Sequence, residues 1–287
     1  EDERVDAPPL GILPDVNGPV SSPATRTVAP DLLDDLAALL AAGVPAVLNT
    51  GRAVDFVRDR VLAPLTARLP GAARLHAVCE KGGVWTTAGT AEVRVDDDLR
   101  VPDLVHDLIE HLVASTYEDV MFVDRTKRVM ATVEARTGVP NHVYRERQRS
   151  FDAELVTGLT DAGLGVRQGD WECQDTQGRT PWRIDPSIIA TDVESADCGK
   201  ALGAQRALAL LERDGPLPRA WHTVGDSRSD YAMADHLHER GFVVTHVDVG
   251  PQPPLADRPY AVTTVDGLRY EAAGAAHLKF LADRLGR

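Results

Sequence analysis

The stretch Ile12-Leu13-Pro14-Asp15-Val16-Asn17-Gly18 is an apolar run that ends in a carboxylate and, three residues later, a glycine. A strand buried in a parallel sheet has this continuous apolar character, and glycine lets the backbone turn sharply after it. Open α/β sheets hold their ligands at the carboxyl ends of the strands, so a strand ending here presents Asp15 at such a place. Asp followed by Asn-Gly is also the make-up of an ordinary turn. The stretch therefore gains its meaning from the polar groups that leave similar places further along.

Outward from it, residues 10 to 80 alternate strand and helix. A Pro/Ser/Thr-rich loop runs from Gly18 to Pro30. Asp31 is expected to cap a helix carrying Leu32, Leu33, Leu36, Leu39 and Leu40 at helical spacing, and Gly43 and Pro45 supply its stop signals. Ala46-Val47-Leu48 reads as a second strand ending in Asn49-Thr50-Gly51-Arg52, with an amphipathic helix over 53–69. Leu75 to Cys79 reads as a third strand, closing in Glu80-Lys81-Gly82-Gly83. Three strand-then-helix units predict a parallel sheet with right-handed crossovers.

From Val84 to Asp192 the pattern becomes paired strands (84–95, 119–135, 164–174, 180–191) around helices at 102–115 and 147–162. This predicts an antiparallel-rich α+β insert spanning 83–195, hinged at Gly82-Gly83 and at Glu194 to Gly199. Alternation then resumes: a helix from Lys200, a strand Trp221 to Val224 ending in Gly225-Asp226-Ser227-Arg228-Ser229-Asp230, a helix through Leu237, an apolar strand 242–247, a short strand 260–264 and a helix 272–285. The expected architecture is α/β, with a Rossmann-like parallel-sheet core (10–82 and 196–287) carrying an inserted α+β cap domain (83–195). Residues 1–9 are expected to be frayed, and the absence of an initiating Met points to a trimmed or processed chain.

The 287 residues carry 31 Lys plus Arg against 44 Asp plus Glu, a formal charge of −13. Such a chain repels phosphate backbones and anionic lipid, which argues against nucleic-acid and membrane partners. No run approaches the roughly 18 apolar residues of a membrane span. Cys79, Cys173 and Cys198 lie far apart without metal or redox spacing, so three reduced thiols and a cytoplasmic location are expected. His222, His236, His238 and His246 cluster in sequence but match no ligand motif. No repeat or low-complexity tract is present, and nothing fixes the oligomeric state.

Four polar groups now occupy comparable places: Asp15, Thr50-Gly51, Lys200, and Asp226 with Asp230. Phosphoryl transfer is the chemistry they can share. A negatively charged phosphorus centre resists an anionic nucleophile unless cations neutralise it, and Mg²⁺ held by carboxylates does so. Asp15, Asp226 and Asp230 are hard oxygen ligands of the required type. The Thr50 hydroxyl, the Gly51 amide and Lys200 can hold the non-bridging oxygens, and Asp15 can attack to give an aspartyl phosphate.

With these residues in this order, the chain resembles the haloacid dehalogenase-like (HAD) hydrolases. Their four signatures are matched by Asp15-Val16-Asn17-Gly18, Thr50-Gly51-Arg52, Lys200, and Gly225 through Asp230, with the insert between the second and third, as in the subgroup with a large α/β cap. The resemblance implies a Mg²⁺-dependent phosphatase of a small phosphorylated metabolite, a sugar or polyol phosphate. It makes Asp15 the nucleophile, Thr50, Gly51 and Lys200 the phosphate binders, and Asp226 a metal ligand together with Asp15 and the backbone carbonyl of Asn17. Asp230 orients the metal or its water. Arg52, Asn49 and Lys81 lie beside these strand ends as candidate substrate contacts. In the insert, Trp85, Trp171 and Trp182 are expected in the core, and Arg183 and Asp185 are candidates for reading the leaving group.

One position departs from the family pattern. Where the family has an Asp that protonates the leaving oxygen and then activates water, this chain has Asn17. An amide exchanges no proton at neutral pH, and loss of a general acid/base costs about 10²–10⁴-fold. Three explanations stand: an engineered substitution, an enzyme whose leaving group needs little protonation, or a domain that binds without turnover. A phosphomutase of the same superfamily is the alternative enzyme. Pro19 also departs, since a small residue commonly follows the glycine.

Overall fold

The structure is a computed structural model that describes residues 7–285. Of the stretch 1–9 expected to fray, residues 1–6 lie outside the described residues, whereas Pro8 is tied down, its carbonyl accepting the Arg219 N–H at 3.1 Å. The elements in chain order are β1 (Leu10–Pro14), α1 (Pro30–Ala41), β2 (Ala46–Asn49), α2 (Val54–Val57), α3 (Ala63–Arg68), β3 (Leu75–Cys79), β4 (Val84–Thr87) and β5 (Val93–Val95). Then come α4 (Asp103–Leu112), β6 (Met121–Asp124), β7 (Ala131–Ala135), α5 (Asn141–Asp161), β8 (Val166–Gln168), β9 (Trp171–Cys173), β10 (Trp182–Pro186) and β11 (Ala190–Ser195). The chain ends with α6 (Lys200–Asp214), β12 (Ala220–Gly225), α7 (Tyr231–Glu239), β13 (Val243–Asp248), β14 (Ala261–Thr263) and α8 (Tyr270–Leu285). It divides into two compact units, residues up to Arg94 with those from Gly199 onward, and Val95–Cys198.

The first unit is built on an eight-stranded sheet of order β14-β13-β12-β1-β2-β3-β4-β5. Every neighbouring pair from β14 to β3 is parallel. β1, β2 and β3 are buried along their whole length, as strands covered on both faces must be. Trp221, Leu13, Val47 and Val78 of the sheet pack with Ala204, Leu208 and Leu211 of α6 and Met233 and Leu237 of α7 in one apolar cluster. Burying each such Leu or Val contributes about 1.5–3 kcal/mol.

The strand order reverses direction at β1. Its sequence neighbour β2 lies on one side and β12, from the far end of the chain, on the other. Such a switch point leaves a crevice outside the carboxyl ends of the strands, and Asp15 follows β1 directly into it.

Three expectations are corrected here. The insert does not begin at 83: Val84–Thr87 pairs antiparallel with β3 and extends the core sheet, so the first unit continues to Arg94 and the hinge expected at Gly82-Gly83 is part of it. Its second boundary falls after Cys198 and not at 195, though still within the stretch expected to form the other hinge. Asp31 does not cap α1; Pro30 opens that helix after Ala29, whose side chain cannot cap, and Asp31 sits in the first turn, where a carboxylate favours the positive end of the helix dipole.

The second unit contains a six-stranded sheet of order β6-β7-β11-β10-β8-β9. All its pairs are antiparallel except β10 with β8. Val133, Val193 and Ile184 on one face of the sheet bury against Val105 and Ile109 of α4 and Phe151 and Leu155 of α5. Trp182 packs against this cluster. Trp171 does not: it is 46% exposed on the edge strand β9, against expectation.

Candidate functional site

Asp15 leaves β1 with its N–H bonded to the Val224 carbonyl of β12 at 2.8 Å, which fixes it at the switch point. The loop after it folds back on itself: the Val20 and Ser21 N–H groups and the Ser21 hydroxyl all bond to the Val16 carbonyl. Gly18 has φ +97°, and a Cβ there would lie 2.5 Å from Asp226 Cγ. The turn thus brings the backbone beside the carboxylate that follows β12, and only glycine allows both the conformation and the approach.

Lys200 opens α6 and is buried. Its Nζ lies 2.9 Å from Asp15 Oδ2 and 2.6 Å from Asp230 Oδ1, and it donates to the Asn49 carbonyl at 2.8 Å. Asn49 returns the contact, its Nδ2 donating to the Lys200 carbonyl at 2.9 Å. A Cβ on Gly203 would fall 1.9 Å from Asn49 Oδ1, so α6 can dock on the end of β2 only with glycine there. Thr50 is fully buried; its hydroxyl favours the ionised Asp15 carboxylate and accepts the Arg52 N–H at 3.2 Å.

Asp230 Oδ2 accepts the N–H groups of Asp226 and Ser227 at 3.1 and 3.0 Å and the Ser227 hydroxyl at 2.7 Å. This capping box holds the turn after β12 and aims Asp226 at Asp15. One ligand oxygen from each of Asp15, Asp226 and Asp230 lies within 4.8 Å of the others.

The charges explain what such a centre needs. Burial and the Asp230 charge push the Asp15 carboxyl up, despite Lys200. For Asp230 burial acts the same way, but Lys200 and the Ser227 donors outweigh it and the net shift is downward. Burial lowers Lys200, and its two carboxylate partners more than restore it, so it stays protonated. Asp226 is pushed up to about 8, by burial first and then by the charges of Asp15 and Asp230. Lys200 sits directly against two of these three carboxylates, and the third is driven toward its neutral form. Hard oxygen donors with excess negative charge are what a divalent cation such as Mg²⁺ binds, so the residues present fit that ion.

Lys81 follows β3 with φ +53°, next to Glu80 at +48°. Its N–H bonds to the Thr50 carbonyl at 3.0 Å, its carbonyl accepts the Gly199 N–H at 2.7 Å, and its side chain runs along Gly51. Two successive non-glycine residues in the left-handed region cost on the order of 1–3 kcal/mol each. They hold the ends of β2 and β3 and the start of α6 together. Arg52 donates from Nη2 to Asn17 Oδ1 at 2.8 Å. Asp15, Asn17, Asn49, Thr50, Gly51, Arg52, Lys81, Lys200, Asp226 and Asp230 lie in the first unit, joined by these contacts, whereas Arg183 and Asp185 lie in the second.

The histidines go elsewhere. His222 stacks on His277 with ring nitrogens 3.0 Å apart, and His246 bonds to the Thr223 hydroxyl at 2.8 Å, burial lowering it to about 4. In the second unit Arg183 pairs with Glu194 and donates to the Cys198 carbonyl, while the Thr132 hydroxyl bonds to Asp192 at 2.7 Å. With Asp185 these form a second acidic group.

No family profile matches the sequence, and no curated protein does. Solved structures do match. The C-terminal domain of Candida albicans trehalose-6-phosphate phosphatase superposes with a TM-score of 0.59 at 16% identity, covering 96% of this chain and 93% of that one. Sucrose-phosphatase from Synechocystis, solved with sucrose and phosphate, gives 0.52 at 13% identity over 98% and 99%. A phosphatase of the HAD enzyme superfamily from Bacteroides thetaiotaomicron gives 0.52 at 15% over 100% and 98%. This chain has the fold of the HAD phosphatases.

Within that HAD fold, two participants escaped the sequence. Asn49 was singled out only as a candidate substrate contact, yet it locks β2 to α6. The positive φ of Glu80 and Lys81 has no sequence signal, because both residue types avoid that conformation. No helix among the described residues is long and apolar enough to cross a membrane, and no disulfide joins Cys79, Cys173 or Cys198.

Proposed function

We propose that the chain is a Mg²⁺-dependent phosphatase acting on a small phosphorylated metabolite, a sugar or polyol phosphate. One observation carries this: Asp15, Thr50, Lys200, Asp226 and Asp230, drawn from four separate parts of the sequence, converge at the switch point. The likeness to phosphatases of phosphorylated sugars supports the substrate class.

In this proposal Asp15 attacks phosphorus and carries the phosphoryl group as an aspartyl phosphate. Lys200 and the Thr50 hydroxyl, already against Asp15, hold the non-bridging oxygens with the Gly51 amide. Asp15, Asp226 and the Asn17 carbonyl hold Mg²⁺, with Asp230 orienting the set. When bound, the ion neutralises phosphoryl charge that the nucleophile must approach. Lys81, whose side chain runs along Gly51, serves as a substrate contact, and Arg52 holds the Asn17 amide.

The test measures phosphate release from a panel of phosphorylated metabolites with and without Mg²⁺. The native chain is expected to show Mg²⁺-dependent release that is lost in Asp15→Asn. Asn17→Asp is expected to raise it at least roughly tenfold on some primary-alcohol phosphate, the low end of what a general acid/base supplies. Asn17 favours a second reading, a domain that binds a phosphate ester without turnover. No release from any compound by native chain or Asn17→Asp would favour that reading.

A further inference from the structure

The side-chain oxygen of Asn17 accepts a hydrogen bond from Arg52 Nη2 at 2.8 Å. A guanidinium has donors only, so the amide is fixed with its oxygen toward the arginine and its NH₂ edge turned away. Arg52 is itself held: its Cζ lies 4.9 Å from the centroid of the Phe56 ring, and its carbonyl accepts the Glu80 N–H at 3.2 Å. The residue two positions after Asp15 is therefore an oriented hydrogen-bond donor that has no proton to transfer.

We infer that the Asn17–Arg52 pair makes the site selective for phosphate compounds whose leaving oxygen is weakly basic, such as anomeric sugar phosphates and acyl phosphates, over phosphates of primary alcohols. This rests on the phosphatase proposal above. In the first step an Asp15 carboxylate oxygen bonds to phosphorus while the bond from phosphorus to the leaving oxygen breaks, its electron pair staying on that oxygen. No acid at position 17 protonates it. It departs as an anion that the Asn17 NH₂ stabilises by a hydrogen bond, and it takes a proton from water afterwards if its basicity demands one. In the second step a water oxygen bonds to phosphorus, the bond to Asp15 breaks, and its electron pair returns to the carboxylate. The water proton passes to the departing phosphate or to solvent.

The first step is then governed by how well the leaving oxygen bears charge unaided. The alkoxide of a primary alcohol bears it worst. At an anomeric centre the ring oxygen withdraws electrons, and in an acyl phosphate the carbonyl delocalises the charge. Arg52 is a positioning residue, acting through the amide it holds.

Single-turnover rates with Mg²⁺ on para-nitrophenyl, phenyl and benzyl phosphate, whose leaving oxygens rise in basicity, test this, with acetyl phosphate and the anomeric and primary phosphates of glucose as further arms. For the native chain the rate is expected to fall at least roughly a hundredfold from para-nitrophenyl to benzyl phosphate, and Asn17→Asp to recover at least about tenfold of that fall, in the range a general acid supplies. Arg52→Met should lower kcat with little change in KM, and should have no effect in an Asn17→Ala background, as coupled neighbours require. Thermal unfolding confirms that each variant folds. Equal leaving-group dependence in native chain and Asn17→Asp overturns the inference, as does an Arg52→Met effect that persists in Asn17→Ala. Phosphate release with a flat profile overturns the selectivity alone. No release from any compound by any folded variant overturns the phosphatase proposal and the selectivity with it.

Discussion

At the scale of single residues, the site is an uneven set of charges held away from water. Lys200 contacts Asp15 and Asp230 at 2.9 and 2.6 Å, and removing it leaves two buried carboxylates facing each other. Lys200→Met is expected to destabilise the protein by about 3–5 kcal/mol, the cost of breaking a buried pair on one side, measured by urea unfolding. Asp226 leads to a pH prediction. Its carboxyl is pushed up to about 8 in the fold and titrates near 3.9 when unfolded. The folded state binds the extra proton, so this contribution to stability is complete below about pH 4 and lost as pH rises through about 8. Without metal, Tm should therefore fall between about pH 6 and 9. Mg²⁺ should raise Tm most at the alkaline end, where the carboxylate is ionised and metal binding to the native state adds stability. A Mg²⁺ effect equal at both ends would contradict the assignment of Asp226.

At the scale of elements, what was legible in the sequence followed burial. β1, β2 and β3 announce themselves as apolar runs because both their faces are covered, and the polar groups after them mark strand ends. Val84-Trp85-Thr86-Thr87 alternates buried and half-buried positions, a pattern that strands of the insert share, so the sequence does not place β4 in the core sheet. The start of α5 carries no sequence signal because Asn141 to Ser150 is largely polar, and tertiary packing of Tyr144 and Gln148 holds it helical. The clamp between Asn49 and Lys200 joins residues 151 apart in sequence, a distance no local pattern spans. Gly203→Ala should break that clamp and cost both stability and phosphate release, whereas Gly163→Ala at the open end of α5 tests only backbone strain. Asp152 on α5 is held at about 6 by burial, against the Thr191 hydroxyl at 2.8 Å. Its raised value favours the fold below about pH 4 and the benefit fades as pH rises through 6. Asp152→Asn keeps an acceptor for Thr191 and should stabilise by about 1–2 kcal/mol at neutral pH, an effect that disappears at pH 4.

At the scale of the molecule, one chain makes two cores. The second unit buries its own cluster of Val, Ile, Tyr, Phe and Leu side chains, so residues 95–198 expressed alone are expected to unfold cooperatively in urea with an m-value proportionate to their size. The first unit carries every residue assigned to phosphoryl transfer, from both sides of the insert. The four signatures were readable because chemistry restricts which residue types can serve. The identity of the leaving group was not, because the residues that recognise it are constrained only by shape and hydrogen bonding. The most direct measurement is intact-protein and peptide mass spectrometry after rapid acid quench of the chain with Mg²⁺ and a compound it dephosphorylates. A phosphoryl adduct on the peptide holding Asp15, absent in Asp15→Asn, is the predicted result. Turnover of that compound with no adduct at Asp15, or with an adduct at another residue, would contradict it.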